Sequence, residues 1–191
     1  MSFRHDSTRV DPQRPVETLS GTTGRLLVMV HGLCLNDQHW TRDGDNRIEA
    51  VAAEHGYTPV YLRYNSGRSI ATNGREFADL LETLLCHWPQ PVTEVAIVGH
   101  SMGGLVARSA VHRGRAARHE WLRSLRRLVF LGTPHHGAPL ERGGHRLDYI
   151  MELSPYVAPF ARLGKSRSAG ITDLRYGAIT EDEREFVPLP Q

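Results

Sequence analysis

Residues 94–110 read E-V-A-I-V-G-H-S-M-G-G-L-V-A-R-S-A, and this stretch decides the fold. A β-branched run, Val95 to Val98, leads into Gly99-His100-Ser101-Met102-Gly103. Leu105, Val106, Ser109 and Ala110 then recur at helical spacing. The succession predicts a strand, a tight turn and a helix, with one serine at the apex. The G-x-S-x-G spacing has a steric reason. The serine sits in a strained backbone conformation, and a side chain at Gly99 or Gly103 would collide with the neighbouring strand or helix. The turn lifts the Ser101 hydroxyl above the sheet. It also aims the first free N–H groups of the next helix at whatever that hydroxyl attacks. A chance glycine turn would lack the apolar strand before it and the periodic residues after it. Ser101 is the candidate nucleophile.

Upstream, Arg25–Val30 (R-L-L-V-M-V) is a near-continuous apolar run, the mark of a strand covered on both faces of a parallel sheet. It runs into His31-Gly32-Leu33-Cys34. Downstream, Leu128–Leu131 predicts another strand, ending in Gly132-Thr133-Pro134-His135-His136-Gly137. Between these lie a helix over 48–55 stopped by Gly56 and a strand over 58–64, with Pro59 placing its start near a sheet edge. A helix over 74–88 follows, capped by Asn73 and carrying the stripe Phe77, Leu80, Leu81, Leu84 and Leu85. Alternating strands and helices with glycine turns indicate an α/β protein with a mainly parallel sheet.

Three motifs in this order and spacing carry a resemblance. H-G after the first strand, G-H-S-M-G-G-L-V-A-R at the serine, and G-T-P-H-x-G after the next strand resemble the α/β-hydrolase superfamily over residues 25–140. The nearest look is to its bacterial lipase/esterase and GPI inositol-deacylase-like branch. The resemblance implies that the backbone N–H groups of Leu33 and Met102 form the oxyanion hole, where two fixed dipoles stabilise a tetrahedral intermediate. His31, Gly32, Gly99, His100 and Gly103 complete the supporting motifs, and His31 reads as a structural hydrogen-bonder rather than a catalyst. Trp40 is either a wall of the site or a packed core tryptophan. The implied reaction is hydrolysis of carboxylic, lipid-like esters through an acyl-enzyme, without metal or organic cofactor. The inositol-deacylase likeness supports acyl-ester chemistry only.

The same family logic exposes a gap. A serine hydroxyl needs a histidine base, and that histidine needs an acid, in the chain order serine, acid, histidine. No histidine follows His145, and Asp148, Asp173 and Asp182 all lie beyond it. Only Glu120 and Glu141 fall between Ser101 and His145. The resemblance implies that the histidine of the G-T-P-H-x-G motif is structural, which leaves His135, His136 and His145 as candidates for the base only outside the family pattern. No strand run is recognisable after residue 140. The expectation is therefore the N-terminal part of a larger hydrolase lacking its last strands, with Leu128–Leu131 as an open apolar edge. A non-catalytic remnant that binds an acyl ligand or a protein partner is the alternative.

Bulk properties fit one globular domain. The chain has 191 residues, 40% hydrophobic content, a mean hydropathy of −0.38 and a net charge of +2. That balance is too mild to argue for nucleic acid. Only Lys165 among the 23 basic residues is lysine, and Arg113, Arg115, Arg118, Arg123, Arg126 and Arg127 read as a solvated face. Cys34 and Cys86, the only cysteines, sit in apolar contexts that suggest buried thiols rather than a bridge. Residues 1–24 read as a polar tail without an apolar leader, and 25–191 as the partial hydrolase domain. Leu147, Ile150, Met151, Leu153, Tyr156, Val157, Phe160 and Leu163 form a broken stripe that makes 141–165 a candidate lid or cap. Residues 166–177 read as a loop-rich connector. Without a leader or spanning segment, the default location is cytoplasmic. Oligomeric state is not legible.

Overall fold

The computed structural model describes residues 1–40, 47–136 and 169–185. Six strands form one sheet: β1 (Ser2–His5), β2 (Thr8–Val10), β3 (Arg25–Val30), β4 (Thr58–Arg63), β5 (Glu94–His100) and β6 (Leu125–Leu131). Their order is β2-β1-β4-β3-β5-β6. β3, β4, β5 and β6 run parallel, while β1 and β2 are antiparallel additions beside β4. The helices are α1 (Arg47–Glu54), α2 (Ile70–Cys86), α3 (Met102–Ala117), α4 (Ala169–Tyr176) and α5 (Glu181–Glu185). This is the mainly parallel α/β sheet with flanking helices that the motif spacing predicts.

The register explains where the core lies. Phe3 pairs with Leu62, and its ring meets Phe77 of α2 edge-on at 6.2 Å, so these side chains share the α2 face. Tyr61 points the other way and its hydroxyl reaches Glu49 of α1, which places α1 on the opposite face. Leu26, Val28 and Val30 of the central strand are fully buried, as the apolar run demands. Burying each side chain of this kind contributes roughly 1.5–3 kcal/mol. α2 and α3 cross closely because Gly74 leaves room for Ser109; a Cβ on Gly74 would overlap the serine side chain.

The N-terminal residues correct the expectation of a polar tail. Residues 2–10 form a hairpin whose turn, Asp6 and Ser7, has φ of 46° and 62°. Positive φ at both central residues is the two-residue geometry that matches strand twist. Phe3 and Val10 are fully buried. The hairpin also makes β4 an interior strand, against the edge position suggested by Pro59. Pro59 is tolerated because β1 pairs only with residues 61–63, so no β1 ladder bond is asked of it. Beyond that ladder, the His5 ring N–H donates to the Pro59 carbonyl at 2.9 Å.

Three further expectations change. α2 is capped by Ser69, whose hydroxyl accepts the Thr72 N–H at 3.1 Å, rather than by Asn73. Asn73 is buried inside the helix, and its amide donates to the carbonyls of Asn65 and Arg68. Residues 169–176 are helical rather than a loop-rich connector. Cys34 and Cys86 are both exposed free thiols, not buried ones. The candidate lid at 141–165, the apolar stripe within it and His145 lie outside the described residues.

An ionic cluster closes the N-terminal ends of β3, β5 and β6. Glu94 accepts from the Tyr57 hydroxyl at 2.6 Å, pairs with Arg25 at 3.0 Å and also meets Arg127. The hydroxyl of Tyr57 and the two guanidiniums hold the Glu94 carboxyl below its ordinary range. At the far side of the sheet, β6 has no further neighbour among the described residues, and Val129 and Leu131 are 40% and 43% exposed. Within the described residues β6 is thus an edge strand with apolar side chains exposed.

Candidate active site

Ser101 is the single residue between β5 and α3, and its backbone is strained. Its φ of 51° and ψ of −123° lie where non-glycine residues rarely sit, at a cost of about 1–3 kcal/mol. Hydrogen bonds hold it there. Its N–H donates to the Leu131 carbonyl at 2.8 Å, and its carbonyl accepts the Gly104 N–H at 3.1 Å. The glycines around it are sterically required. A Cβ on Gly99 would stand 2.5 Å from the Gly104 Cα, and one on Gly103 would overlap the carbonyl oxygens of Val30 and His31.

The loop after β3 closes over this turn. A Cβ on Gly32 would lie 3.1 Å from His100 Nδ1 and 3.2 Å from the Ser101 Cβ. The Leu35 N–H donates to the Gly32 carbonyl at 3.4 Å, bending the chain through Cys34 with φ of 56°. The Cys34 N–H donates to Ser66 Oγ at 3.2 Å. Leu33, between them, packs its side chain on the core. Met102 is the first residue of α3, and a helix leaves its first N–H groups without intrahelical acceptors. The structure thus brings Ser101, Gly32, His100 and Met102 together at the C-terminal ends of β3 and β5.

His31 is fully buried and stacks on Tyr64, with ring centroids 4.3 Å apart at 16°. Its Nδ1 lies 2.9 Å from the Gly32 carbonyl, an acceptor, so Nδ1 carries the proton. Its Nε2 then accepts the Tyr64 N–H at 3.4 Å, and the Tyr64 hydroxyl donates to the His31 carbonyl at 2.7 Å. Complete burial pushes the Tyr64 phenol above its ordinary range, so it stays a neutral donor. These bonds fix the start of the Gly32–Leu33 loop. They also use both ring nitrogens of His31, in keeping with a structural role.

Of the remaining histidines, His135 is turned to α3. Arg108 Nη1 lies 3.1 Å from its Nδ1, and its ring meets Phe130 edge-on at 4.5 Å. A guanidinium only donates, so Nδ1 is the acceptor and Nε2 holds the proton. Desolvation, with Arg108 and His136 nearby, keeps this ring below its ordinary pKa and therefore neutral. The Arg108 Cα stands about 10 Å farther along α3 than the serine, at 1.5 Å per residue. His136 is exposed. Trp40 meets His100 edge-on at 6.3 Å, beside the Ser101 turn.

No described acid stands with these histidines as a triad partner. Asp173 is buried, and its Oδ2 accepts the Ile70 N–H at 2.7 Å, at the start of α2. Asp182 is exposed on α5, and Glu120 pairs with Arg123 at 2.6 Å. Sequence reading missed two supports of the turn: Tyr64 beneath His31, and the Leu131 carbonyl that binds the Ser101 N–H. Tyr64 was visible only as the last residue of a strand, and a backbone carbonyl leaves no trace in residue types.

Comparison with known proteins agrees with this architecture. The chain belongs to the family described as a domain of unknown function, DUF7379, whose model matches residues 1–163. No curated protein matches it. In structure it is similar to the Bacillus licheniformis lipase BlEst2 in mature form. That match has 22% identity and a TM-score of 0.58, covering 85% of this chain and 59% of that one. The propeptide form of the same lipase gives 20% identity and a TM-score of 0.56, covering 86% and 32%. An inhibited esterase B from Lactobacillus rhamnosis gives 18% and 0.39, covering 80% and 52%. The chain therefore has the α/β-hydrolase fold and spans 59% of the length of the mature lipase it matches. Among the described residues no helix is long and apolar enough to cross a membrane.

Proposed function

We propose that this chain carries the nucleophile and oxyanion hole of a serine hydrolase acting on carboxylic, lipid-like esters. The observation that carries the reading is the backbone of Ser101, held at φ 51° between strand and helix with the Gly32 loop against it. Strain of this kind persists where the surrounding structure over-determines it, and it clusters at reactive sites. Ser101 Oγ attacks the acyl carbonyl while the N–H groups of Leu33 and Met102 receive the developing oxyanion. The alcohol leaves with a proton, and water then hydrolyses the acyl-enzyme. No cofactor enters this scheme.

The Ser101 proton needs an acceptor, and neither His31 nor His135 offers a free lone pair in its observed hydrogen bonds. Among the described residues, no histidine–acid pair is assembled at Ser101. That same observation favours a second reading, a non-catalytic hydrolase scaffold that binds an acyl ligand or a protein partner. Two measurements separate them: covalent labelling by a fluorophosphonate, followed by mass spectrometry, and hydrolysis of p-nitrophenyl butyrate. Ser101-dependent turnover supports the enzyme and places a base within the chain. Labelling at Ser101 without turnover supports a preformed site lacking its base. A folded chain that neither labels nor turns over supports the scaffold.

A further inference from the structure

The hairpin that extends the sheet gathers three arginines on one face. Arg4 of β1 pairs with Arg9 of β2 and with Tyr61 of β4, and Ser2 pairs with Arg63. Cross-strand partners share a face, as do residues two apart along a strand. Arg4, Arg9 and Arg63 therefore stand together on the α1 side, away from Phe3. One buried carboxylate, Asp37, lies among them, 3.1 Å from Arg4 Nε and 3.7 Å from Arg63 Nε. The other carboxylates of this region, Asp6 and Glu49, meet each other and His5 at the opposite end of β1.

Among the described residues, three guanidiniums against one carboxylate leave positive charge in excess, and a guanidinium does not shed its proton to relieve it. Asp37 engages only Nε of Arg63, so the remaining donors of that fork are unspent. A cleft of about 460 Å³ opens at this point, lined by Met1, Ser2, Arg9, Arg63, Tyr64 and Asn65. Its lining holds two guanidiniums and no carboxylate side chain. Tyr64 also forms part of the support for the Gly32 loop through its bond to the His31 carbonyl. The cleft thus lies at the end of β4, on the same edge of the sheet as Ser101.

We propose that this cleft binds a small oxyanion, the phosphate or carboxylate group of a soluble molecule, clamped by Arg9 and Arg63. Planar guanidiniums bind such groups through paired, charge-assisted hydrogen bonds, and Ser2 and Asn65 add neutral ones. Binding at this cleft is independent of whether Ser101 reacts.

Titration of the full chain with inorganic phosphate and, separately, acetate, followed by calorimetry and by the arginine Nε–H signals in NMR, tests this. Saturable binding is expected. Arg9→Gln is expected to weaken it about tenfold, the loss of one charge-assisted bond, and Arg63→Gln likewise. Arg126→Gln, an exposed arginine on β6, should leave it unchanged. Arg63→Gln also disturbs the Asp37 pair, so the exposed Arg9 decides the matter. Absence of saturable binding by either anion, or equal affinity in Arg9→Gln, overturns the proposal. Co-sedimentation with phosphatidylglycerol vesicles that free phosphate does not compete away also overturns it, in favour of a membrane-facing patch.

Discussion

Arg108 donates to the Nδ1 lone pair of His135 at 3.1 Å, the one lone pair that the neutral ring has when its proton is on Nε2. The contact makes a measurable statement about protonation. The folded pKa of His135 lies below its ordinary value, so protonating it opposes folding, and its unfavourable contribution appears as pH falls through the ordinary histidine range of about 6.5. Desolvation is the largest cause, and the Arg108 charge adds to it. NMR titration of the imidazole signals should give a midpoint below the ordinary value. In Arg108→Gln that midpoint should rise toward it, and an unchanged midpoint would show that the contact is not made in solution.

Gly32 and Gly103 should separate stability from reactivity. A methyl on Gly103 would meet two backbone carbonyls that cannot yield, so Gly103→Ala should destabilise by about 3 kcal/mol or more. On Gly32 the methyl would sit at 3.1–3.3 Å from His100 and Ser101, a tight but yielding contact. Gly32→Ala should cost only about 1 kcal/mol in urea denaturation. Its fluorophosphonate labelling of Ser101 should nevertheless slow at least tenfold, because the loop carrying the Leu33 N–H is displaced. Normal labelling in a folded Gly32→Ala chain would argue against an oxyanion role for that loop.

Ser109 and Asp173 hold residues 169–185 against α2 and α3. The Ser109 hydroxyl donates to the Ile179 carbonyl at 2.6 Å, and Asp173 accepts the first N–H of α2. Removing either partner strands a buried polar group. Ser109→Ala should lower stability by about 1–2 kcal/mol, and Asp173→Ala by about 1–3 kcal/mol, in urea unfolding. Limited proteolysis should also release the 169–185 segment sooner in both variants than in the parent chain.

Glu94 should contribute to the acid limb of the stability profile. Its carboxyl is held below its ordinary range chiefly by the Tyr57 hydroxyl, then by Arg25 and Arg127. A depressed carboxylate stabilises the fold above the ordinary value of about 4.3 and loses that contribution as pH falls through the folded value. Urea midpoints of Glu94→Gln should therefore be lower than the parent's at neutral pH and converge on them in acid. A constant offset at every pH would point to packing rather than charge.

Much of the interior was legible because it rests on periodicity. The apolar run at 25–30 and the β-branched residues of 95–98 are strands for the same reason that they are apolar: both faces are covered. The Ser101 turn was legible because its glycines are dictated by contacts with α3 and with β3. The hairpin at 2–10 was not. It has only one buried side chain per strand, Phe3 and Val10, among arginines and a turn without glycine. α2 started early because Ser69 and Asn73 are equally good caps on paper, and only Asn73's bonds to Asn65 and Arg68 decide between them. Within the site, residue types named Ser101 and its loop. They did not show that His31 and His135 have each committed a ring nitrogen elsewhere, since lone pairs are allotted by three-dimensional neighbours.

The two borders of the sheet give it a direction of growth. On one side it finishes in a three-residue strand, Thr8–Val10, bearing the charged, exposed Arg9, which offers little for another chain to add to. On the other, β6 offers seven residues of ladder with Val129 and Leu131 turned toward water. Among the described residues, this is the border that further backbone would extend. Concentration-dependent association of this chain should begin there, and charged residues at 129 and 131 should silence it while leaving the Ser101 turn as it is.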